Sequence, residues 1–422
     1  MSNKSFNRWF ASQRKKQKIS IKIKNLNKLI NWHKNKNHIA HNSSKFFKII
    51  AIDVKSNMIG NNWDQPIIVQ NEMGILGILK DSKKNKYLLQ AKVEPGNRNK
   101  LQLSPTVQAT KSNYQRVHGG KKIPYLKYFL KNRKSFIDQS EQGYRYLYKS
   151  NYNSLINVKK KIKVLNNYFW LDKSDIKKLV KKRSILNMDT ISVFSTFIKR
   201  EEKDTPLNSQ NKILKWISKK DKLYRLKAKA KPLNSLKDWK VTNLKIEHKR
   251  KNHFSVIGIN IKSNKREIKE WDQPIIKGRK LAFVGFVISQ FNKTNHYLCR
   301  YSKKPGLKTS TLSCSVNTSD ISNYKRIHTL SVFQKHLLNN FLMKKNKKFK
   351  TVYENILSDE GGRFYNCEIK YKALFIKNNS KIILPKDYIW ISQNQMIKMI
   401  NKKKIDIEAR LLFGCININK IK

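Results

Sequence analysis

The hexapeptide WDQPII at 63–68 returns unchanged at 271–276, and nothing else in the chain restricts its fold as strongly. The second copy begins 208 residues after the first, and further matches follow in the same order. Gly77 meets Gly285, the Pro-Gly pair at 95–96 meets that at 305–306, and NYQRVH (113–118) meets NYKRIH (323–328). QSEQG (139–143) meets LSDEG (357–361), and FWL around Trp170 meets IWI around Trp390. The offset grows in small steps from 208 to 220, as loop insertions into one ancestral unit would make it grow. A chain of 422 residues has room for two ordinary domains. The expected fold is therefore a tandem duplication of one α+β unit.

Short β-type runs follow one another in the first unit: FFKIIAIDV (46–54), MGILGIL (73–79) and KYLLQAKV (86–93), separated by Asn-, Gly- and Lys-rich turns. A helix or extended arm is expected over 125–132, short strands around 144–148, and a helix over 172–182 with Ile176, Leu179 and Val180 on its apolar face. Residues 1–35 read as an N-terminal segment of one or two short helices, 36–200 as the first repeat and 236–422 as the second. Residues 201–235, polar, Lys-rich and holding two prolines, read as a linker.

The charge is extreme, with 92 Lys and Arg against 27 Asp and Glu, a net +65. A polyanion-binding face would cluster its cations. Here Lys is spread over the chain with Asn and Ile, the pattern an AT-rich genome imposes on permissive surface positions, so nucleic acid is expected to bind only non-specifically. With 39% hydrophobic and 10% aromatic residues, two cores are affordable and disorder is excluded. Cys299, Cys314, Cys367 and Cys415 form no CxxC pair, which points away from zinc and disulfides and fits a cytoplasmic protein. No run approaches the roughly 18 apolar residues of a membrane helix, so no membrane partner is expected.

Glu94 precedes Pro95-Gly96, so its carboxylate is expected at a strand end, where catalytic groups commonly sit. The aligned residue of the second unit is Lys304, and a carboxylate exchanged for an ammonium means two chemically different pockets. NYQRVHGGK gathers Tyr114, Arg116, His118 and Lys121 around two glycines. Arg and Lys suit a diphosphate, backbone amides of glycines can approach anionic oxygens, and His titrates near neutrality. In the repeated hexapeptide, Trp63, Pro66, Trp271 and Pro274 can be purely structural. The short polar chains of Asp64, Gln65, Asp272 and Gln273 could cap backbone amides or face a sugar or base. No Walker A, Rossmann, HExxH or GxSxG pattern is present. REIKEW (266–271) lacks the glycine spacing and glutamate run of a Nudix box, which argues against metal-dependent diphosphate hydrolysis.

Taken together, WDQPII, GILGIL, the long stretch from Leu88 to Phe129 (LLQAKVEPGNRNKLQLSPTVQATKSNYQRVHGGKKIPYLKYF), SEQG, SDEGGRFY (358–365) and IEARLLFGC (407–415) closely resemble the NDP-hexose 2,3-dehydratase family. The resemblance runs from residue 39 to Cys415. It implies two Nudix-like mixed-sheet domains lacking the Nudix box, no metal or redox cofactor, a homodimer, and a nucleotide-sugar pocket associated with each unit. It also implies a carbon-oxygen lyase that eliminates water across C2 and C3 of a dTDP-4-keto-6-deoxyhexose in 2,6-dideoxysugar biosynthesis, with a 3-ketoreductase acting downstream. For acid/base or orienting roles it points to Glu94, His118 and Tyr114, and to Asp359, Glu360 and Tyr365 in the second unit. For substrate binding it points to Trp63, Asp64, Gln65, Gln108, Arg116, Lys121, Trp271, Asp272, Gln273, Tyr324, Arg326, His328, Arg363 and Arg410. Two departures stand out. The family's acidic-Ala-Arg triplet survives as Glu408-Ala409-Arg410 but is Asp189-Thr190-Ile191 in the first unit, and residues 299–320 have lost most of the VEPG…PTVQ pattern. The rival readings are a basic RNA- or ribosome-associated protein and a nucleotide-sugar binder without turnover.

Overall fold

Gly74–Asp81 presents six consecutive buried residues, the mark of a strand covered on both faces. Leu76 and Ile78 face one apolar cluster with the helix Met188–Thr196, while Ile75 and Leu79 face another built around Phe129. The computed structural model describes residues 3–58, 62–115, 122–266, 268–327, 329–343, 348–376 and 383–422. It is a mixed α+β structure of two sheet-rich halves, each contributing a larger and a smaller sheet.

The larger first-half sheet runs in the order Ile137–Ser140, Ser150–Val158, Gly74–Asp81, Lys86–Val93, Tyr168–Asp172. Leu101–Ser104 and Val107–Ala109 are added at its centre. Its second-half counterpart places Phe349–Ser358, Glu368–Ile376, Ala282–Phe291, Thr294–Ser302 and Tyr388–Ser392 in the same relation. Gly77 opposes Val107 and Gly285 opposes Val316, so the two sheets agree in register as well as order.

The smaller sheets reveal an exchange between the halves. Strand Ile19–Lys24 pairs antiparallel with Ser255–Ser263 of the second half, and Leu226–Lys231 pairs antiparallel with Lys48–Ser56 of the first. The helix before each crossing strand stays at home. Phe6 and Trp9 of Asn3–Lys16 pack on Phe169. Trp216 of Gln210–Leu223 packs on Tyr301, and Lys220 pairs with Asp387. Two expectations are corrected here. The stretch 201–235 is not a bare linker, since it carries this helix and the crossing strand. The N-terminal segment holds one helix and a strand rather than helices alone. ISIKIK and LKAKAK alternate apolar residues with lysines because one strand face is covered and the other is solvated.

Each crossing segment is clamped by the aspartate of the repeated hexapeptide. Asp272 accepts from Lys24 Nζ at 2.5 Å and from the Ile30 amide at 2.7 Å, while Trp32 Nε1 donates to its carbonyl at 2.8 Å. Asp64 accepts from Lys231 Nζ at 2.9 Å and from the Lys237 amide at 2.7 Å, and Trp239 Nε1 donates to its carbonyl at 2.9 Å. Hydrogen bonds to a charged acceptor are worth about 1.5–3 kcal/mol each, so both crossings are firmly held. The halves also share one apolar core, in which Leu76, Ile78 and Phe194 join Ile257, Phe286 and Leu412.

Two turns complete the interlock. The Gly96 amide donates to Gly361 O at 2.7 Å, and the Gly306 amide donates to Gly143 O at 2.7 Å. A Cβ on Gly96 would lie 1.7 Å from Phe364 O, and one on Gly306 would lie 1.7 Å from Tyr146 O. Only glycine permits that approach. No described helix is long and apolar enough to cross a membrane, and all four cysteines are free and buried.

Candidate functional site

The interlock leaves a cavity of about 550 Å³ whose walls come from both halves. The larger first-half sheet supplies Lys92, Glu94 and Gln108, the helix Met188–Thr196 supplies Asp189, and the segment 141–151 supplies Glu141, Tyr146, Lys149 and Asn151. The smaller second-half sheet faces them with Asn260, Trp271, Asp272 and Gln273, joined by Glu360 and Arg363 from the turn before Phe364. Trp32, His41, Phe46 and Phe47 close the remaining end with aromatic surface.

Glu94 follows the last residue of strand Lys86–Val93 and is 3% exposed. Its Oε1 accepts from Gln108 Nε2 at 3.0 Å and lies 3.4 Å from Lys92 Nζ. Its Oε2 is buried without a hydrogen-bond partner among the described residues. The orientation of Gln108 is set from behind, because Asn187 Nδ2 donates to its Oε1 at 3.1 Å. Asn187 is itself fixed as the N-cap of Met188–Thr196, its Oδ1 accepting from the Thr190 amide at 2.8 Å. A helix cap thus aims an amide, and the amide aims a carboxylate.

Six carboxyl groups line this cavity, Glu94, Glu141, Asp189, Glu270, Asp272 and Glu360. Burial raises the affinity of Asp189, Glu141 and Glu360 for protons. For Asp189 the neighbouring Glu360, Glu141 and Glu94 push further in the same direction, well above the usual carboxylate range. Burial and mutual repulsion therefore favour the neutral form of these three acids. Tyr146 Oη donates to Glu360 Oε2 at 2.8 Å, and burial together with Glu360 holds its phenol protonated. Asn151 Nδ2 donates to Glu141 Oε1 at 2.7 Å. Burial lowers the proton affinity of Lys92 and of Lys149, whose ammonium donates to Glu72 O. Behind the wall, the fully buried Arg410 donates from Nη1 to Ser192 Oγ at 2.6 Å and from Nη2 to Ser140 O at 3.3 Å.

At the aromatic end the Arg363 guanidinium lies 4.1 Å over the Phe47 ring and donates to Gly362 O at 2.9 Å. Trp271 Nε1 donates to Gln273 Oε1 at 2.9 Å, and Gln273 Nε2 donates to Gly362 O at 2.8 Å. Among the described residues no group of three His, Cys, Asp or Glu side chains is placed to hold a metal ion.

The corresponding place in the second half is filled. Lys304 occupies the position of Glu94, 2% exposed, with Nζ 2.9 Å from Asp406 and 2.6 Å from Glu408. Burial opposes its charge, but the two carboxylates outweigh burial and hold the ammonium above its ordinary range. The Tyr144 ring caps it at 5.6 Å.

Of the residues singled out in the sequence, Glu94, Gln108, Glu360, Arg363, Trp271, Asp272 and Gln273 line the cavity. Trp63, Asp64 and Gln65 do not. They make the same internal contacts as their second-half counterparts, with Trp63 Nε1 donating to Gln65 Oε1 at 3.0 Å. Tyr114 packs in the cluster around Phe129. Buried Tyr324 donates to Asn339 Oδ1, and Arg326 sits in the same short helical turn. Tyr365 packs against the shared core. Asp359 does not line the cavity; it is half-buried, accepting from Gln142 Nε2 at 3.1 Å, and desolvation pushes its carboxyl up to about 7. Arg410 touches the wall from behind. Arg116, His118, Lys121 and His328 lie outside the described residues. Lys92, Glu141, Tyr146, Lys149 and Asp189 were missed. For Lys92 a signal existed, since it stands two residues before Glu94 and extended chains place alternate residues on one side.

The family model for NDP-hexose 2,3-dehydratase matches residues 3–197 and 210–416. A dTDP-4-dehydro-6-deoxy-alpha-D-glucopyranose 2,3-dehydratase from Saccharopolyspora spinosa is 30% identical over 411 residues, covering 90% of this chain and 84% of that one. Enzymes of the same description from Amycolatopsis orientalis and Streptomyces violaceoruber are 30% and 28% identical. They cover 90% and 97% of this chain, and 82% and 96% of their own. A solved ADP compounds hydrolase aligns with 37% of this chain and 79% of its own at 12% identity and a TM-score of 0.21.

Proposed function

The chain belongs to the NDP-hexose 2,3-dehydratase family, and from that premise we propose that its cavity removes water across C2 and C3 of a dTDP-4-keto-6-deoxyhexose. The observation that carries this reading is Glu94: a carboxyl held on one oxygen by Gln108, with the other oxygen buried and unpaired among the described residues, in a cavity where burial raises the proton affinity of Asp189 and Glu360. The C4 ketone acidifies the C3 proton, which Glu94 Oε2 removes. The electron pair forms C3=C4 and leaves negative charge on the C4 oxygen. When the ketone re-forms, the pair moves to C2–C3 and expels the C2 hydroxyl, which takes a proton from Glu360 and departs as water. The remaining enol takes a proton at C2 and loses one from the C3 hydroxyl, giving a 3,4-diketo-2,6-dideoxy sugar. The ketone is the electron sink throughout.

The aromatic end formed by Trp32, Phe46, Phe47 and Trp271 suits a nucleobase, with Arg363 placed for the diphosphate. We assign Arg116, His118 and Lys121 to the same ligand on sequence grounds. The agreement of the two halves in order and register supports tandem duplication of a Nudix-like unit, bounded near residues 3–197 and 210–416. A cytoplasmic homodimer, a 3-ketoreductase consuming the product, and only non-specific contact with nucleic acid complete the proposal.

Incubation with dTDP-4-keto-6-deoxyglucose, with a 3-ketoreductase and NADPH to trap the diketone, tests the activity. The expected result is a reduced 2,6-dideoxy sugar, with Glu360→Gln exchanging the C3 hydrogen with solvent yet releasing little water. Unchanged substrate beside a correctly folded protein would overturn the reading.

A further inference from the structure

We propose that Lys92 is a catalytic residue, its ammonium donating to the oxygen that becomes negative at C4 of the sugar while Glu94 takes the proton from C3. This rests on the dehydratase reading and adds to it a residue outside the set that the sequence singled out.

Lys92 and Glu94 stand two residues apart at the end of one strand, and both line the cavity. Their charged ends are 3.4 Å apart. An ammonium has three N–H donors, so contact with Glu94 leaves two for a ligand. A base and an oxyanion donor must flank the same C3–C4 bond, and a cation beside the base satisfies that requirement. Of the cavity cations Lys92, Lys149, Arg266 and Arg363, Lys92 is the one paired with Glu94 among the described residues. Lys149 donates to Glu72 O, and Arg363 stacks on Phe47 and donates to Gly362 O. The charged groups facing Lys92 are Glu94, Asp189 and Arg266. Burial and Arg266 lower its proton affinity, while Glu94 and Asp189 support the charge. A cation eased toward its neutral form is a stronger donor to a developing enolate than an exposed lysine. In the second half the equivalent pair is Ser302 and Lys304, which offers neither the donor nor the base.

The test follows exchange of the C3 hydrogen of dTDP-4-keto-6-deoxyglucose in deuterated water by NMR, beside product formation, for wild type, Lys92→Met and Lys92→Arg. Removing one oxyanion donor lowers turnover by about 10²–10³-fold. Lys92→Met is expected to lose that factor in exchange and in product alike, with dTDP affinity within about threefold of wild type. Lys92→Arg is expected to keep part of the rate. Its activity should also persist to higher pH, because wild-type activity falls as the lysine ammonium is lost and a guanidinium keeps its proton. Lys92→Gln replaces the Met variant if thermal melting shows that one unfolded. Exchange within about threefold of wild type, or a rate loss matched by an equal loss of dTDP affinity, would overturn the role of Lys92 alone. A wild-type protein that neither exchanges nor eliminates would overturn the dehydratase reading with it.

Discussion

The turns at 93–96 and 303–306 are the same piece of backbone put to opposite uses. Each ends a central strand, and each glycine amide donates at 2.7 Å to a carbonyl of the other half. In the first, Glu94 enters an open cavity with one oxygen unpaired among the described residues. In the second, Lys304 closes on Asp406 and Glu408 beneath Tyr144. The difference teaches that the interlock between halves fixes the backbone, while one side chain in each turn decides whether the space beside it is a site or a filled core.

The sharpest way to break this comparison is to make the first turn inert. Glu94→Gln keeps the shape and the bond from Gln108 but removes the base, so product formation is expected to fall by about 10³-fold. The melting temperature should stay near that of wild type. A variant retaining most of its turnover would transfer the base to another residue, and the two turns would then differ without consequence for the chemistry.

The reciprocal change tests the filled turn. Lys304→Met leaves the buried Asp406 and the half-buried Glu408 facing an apolar chain, and removing one partner of a buried ion pair destabilises by about 3–5 kcal/mol. At about 2 cal/mol/K of unfolding entropy per residue, a chain of this length should melt about 3–5 °C lower. Turnover below the melting transition is expected to stay within about twofold of wild type, since Lys304 does not line the cavity. An unchanged melt together with lost turnover would place the chemistry in the second half instead.

Much of this contrast was legible in the sequence. The Pro-Gly pairs located both turns, the Glu94-for-Lys304 exchange announced two unlike pockets, and the apolar runs at 73–79 and 86–93 gave the central strands. The crossings were not legible. ISIKIK and LKAKAK are period-2 strands diluted by lysine, and their partners lie at least 170 residues away, beyond what local patterning records. Asp64 and Asp272 read either as caps of backbone amides or as ligand-facing groups; both clamp the crossing segments through backbone amides and lysines, and Asp272 lines the cavity as well. Arg410 was noticed as a motif residue, but its role depends on helix Ile407–Ile416 packing against Met188–Thr196. That packing is close enough that a Cβ on Gly414 would lie 2.5 Å from the Ser195 side chain.

Glu141 and Asp359 are aligned carboxyls, one lining the cavity and one not, and the comparison between them can be sharpened by pH. Asp359 is raised to about 7 by burial, so the folded state holds its proton more tightly than the unfolded chain does. Stability from that proton is fully present below the ordinary carboxylate value near 4 and is lost as pH rises through about 7, on the order of a few kcal/mol in all. Wild type should therefore melt progressively lower between those limits. Asp359→Asn keeps an acceptor for Gln142 and removes the titration, so its melt should flatten across the same window. A slope that persists in the variant would assign it to the cavity carboxyls Asp189, Glu141 and Glu360.

The smallest expected effect separates the two clamps. Asp64 holds only a crossing segment, whereas Asp272 holds one and also lines the cavity. Replacing each by Asn preserves an acceptor but gives up the charge assisting the bonds from Lys231 or Lys24, a loss of about 1–2 kcal/mol. Both variants should lose similar stability, and only Asp272→Asn should weaken binding of dTDP, measured by calorimetry. Equal affinities in the two variants would mean that the ligand does not reach the second-half sheet, and that the chemistry is confined to the first-half wall.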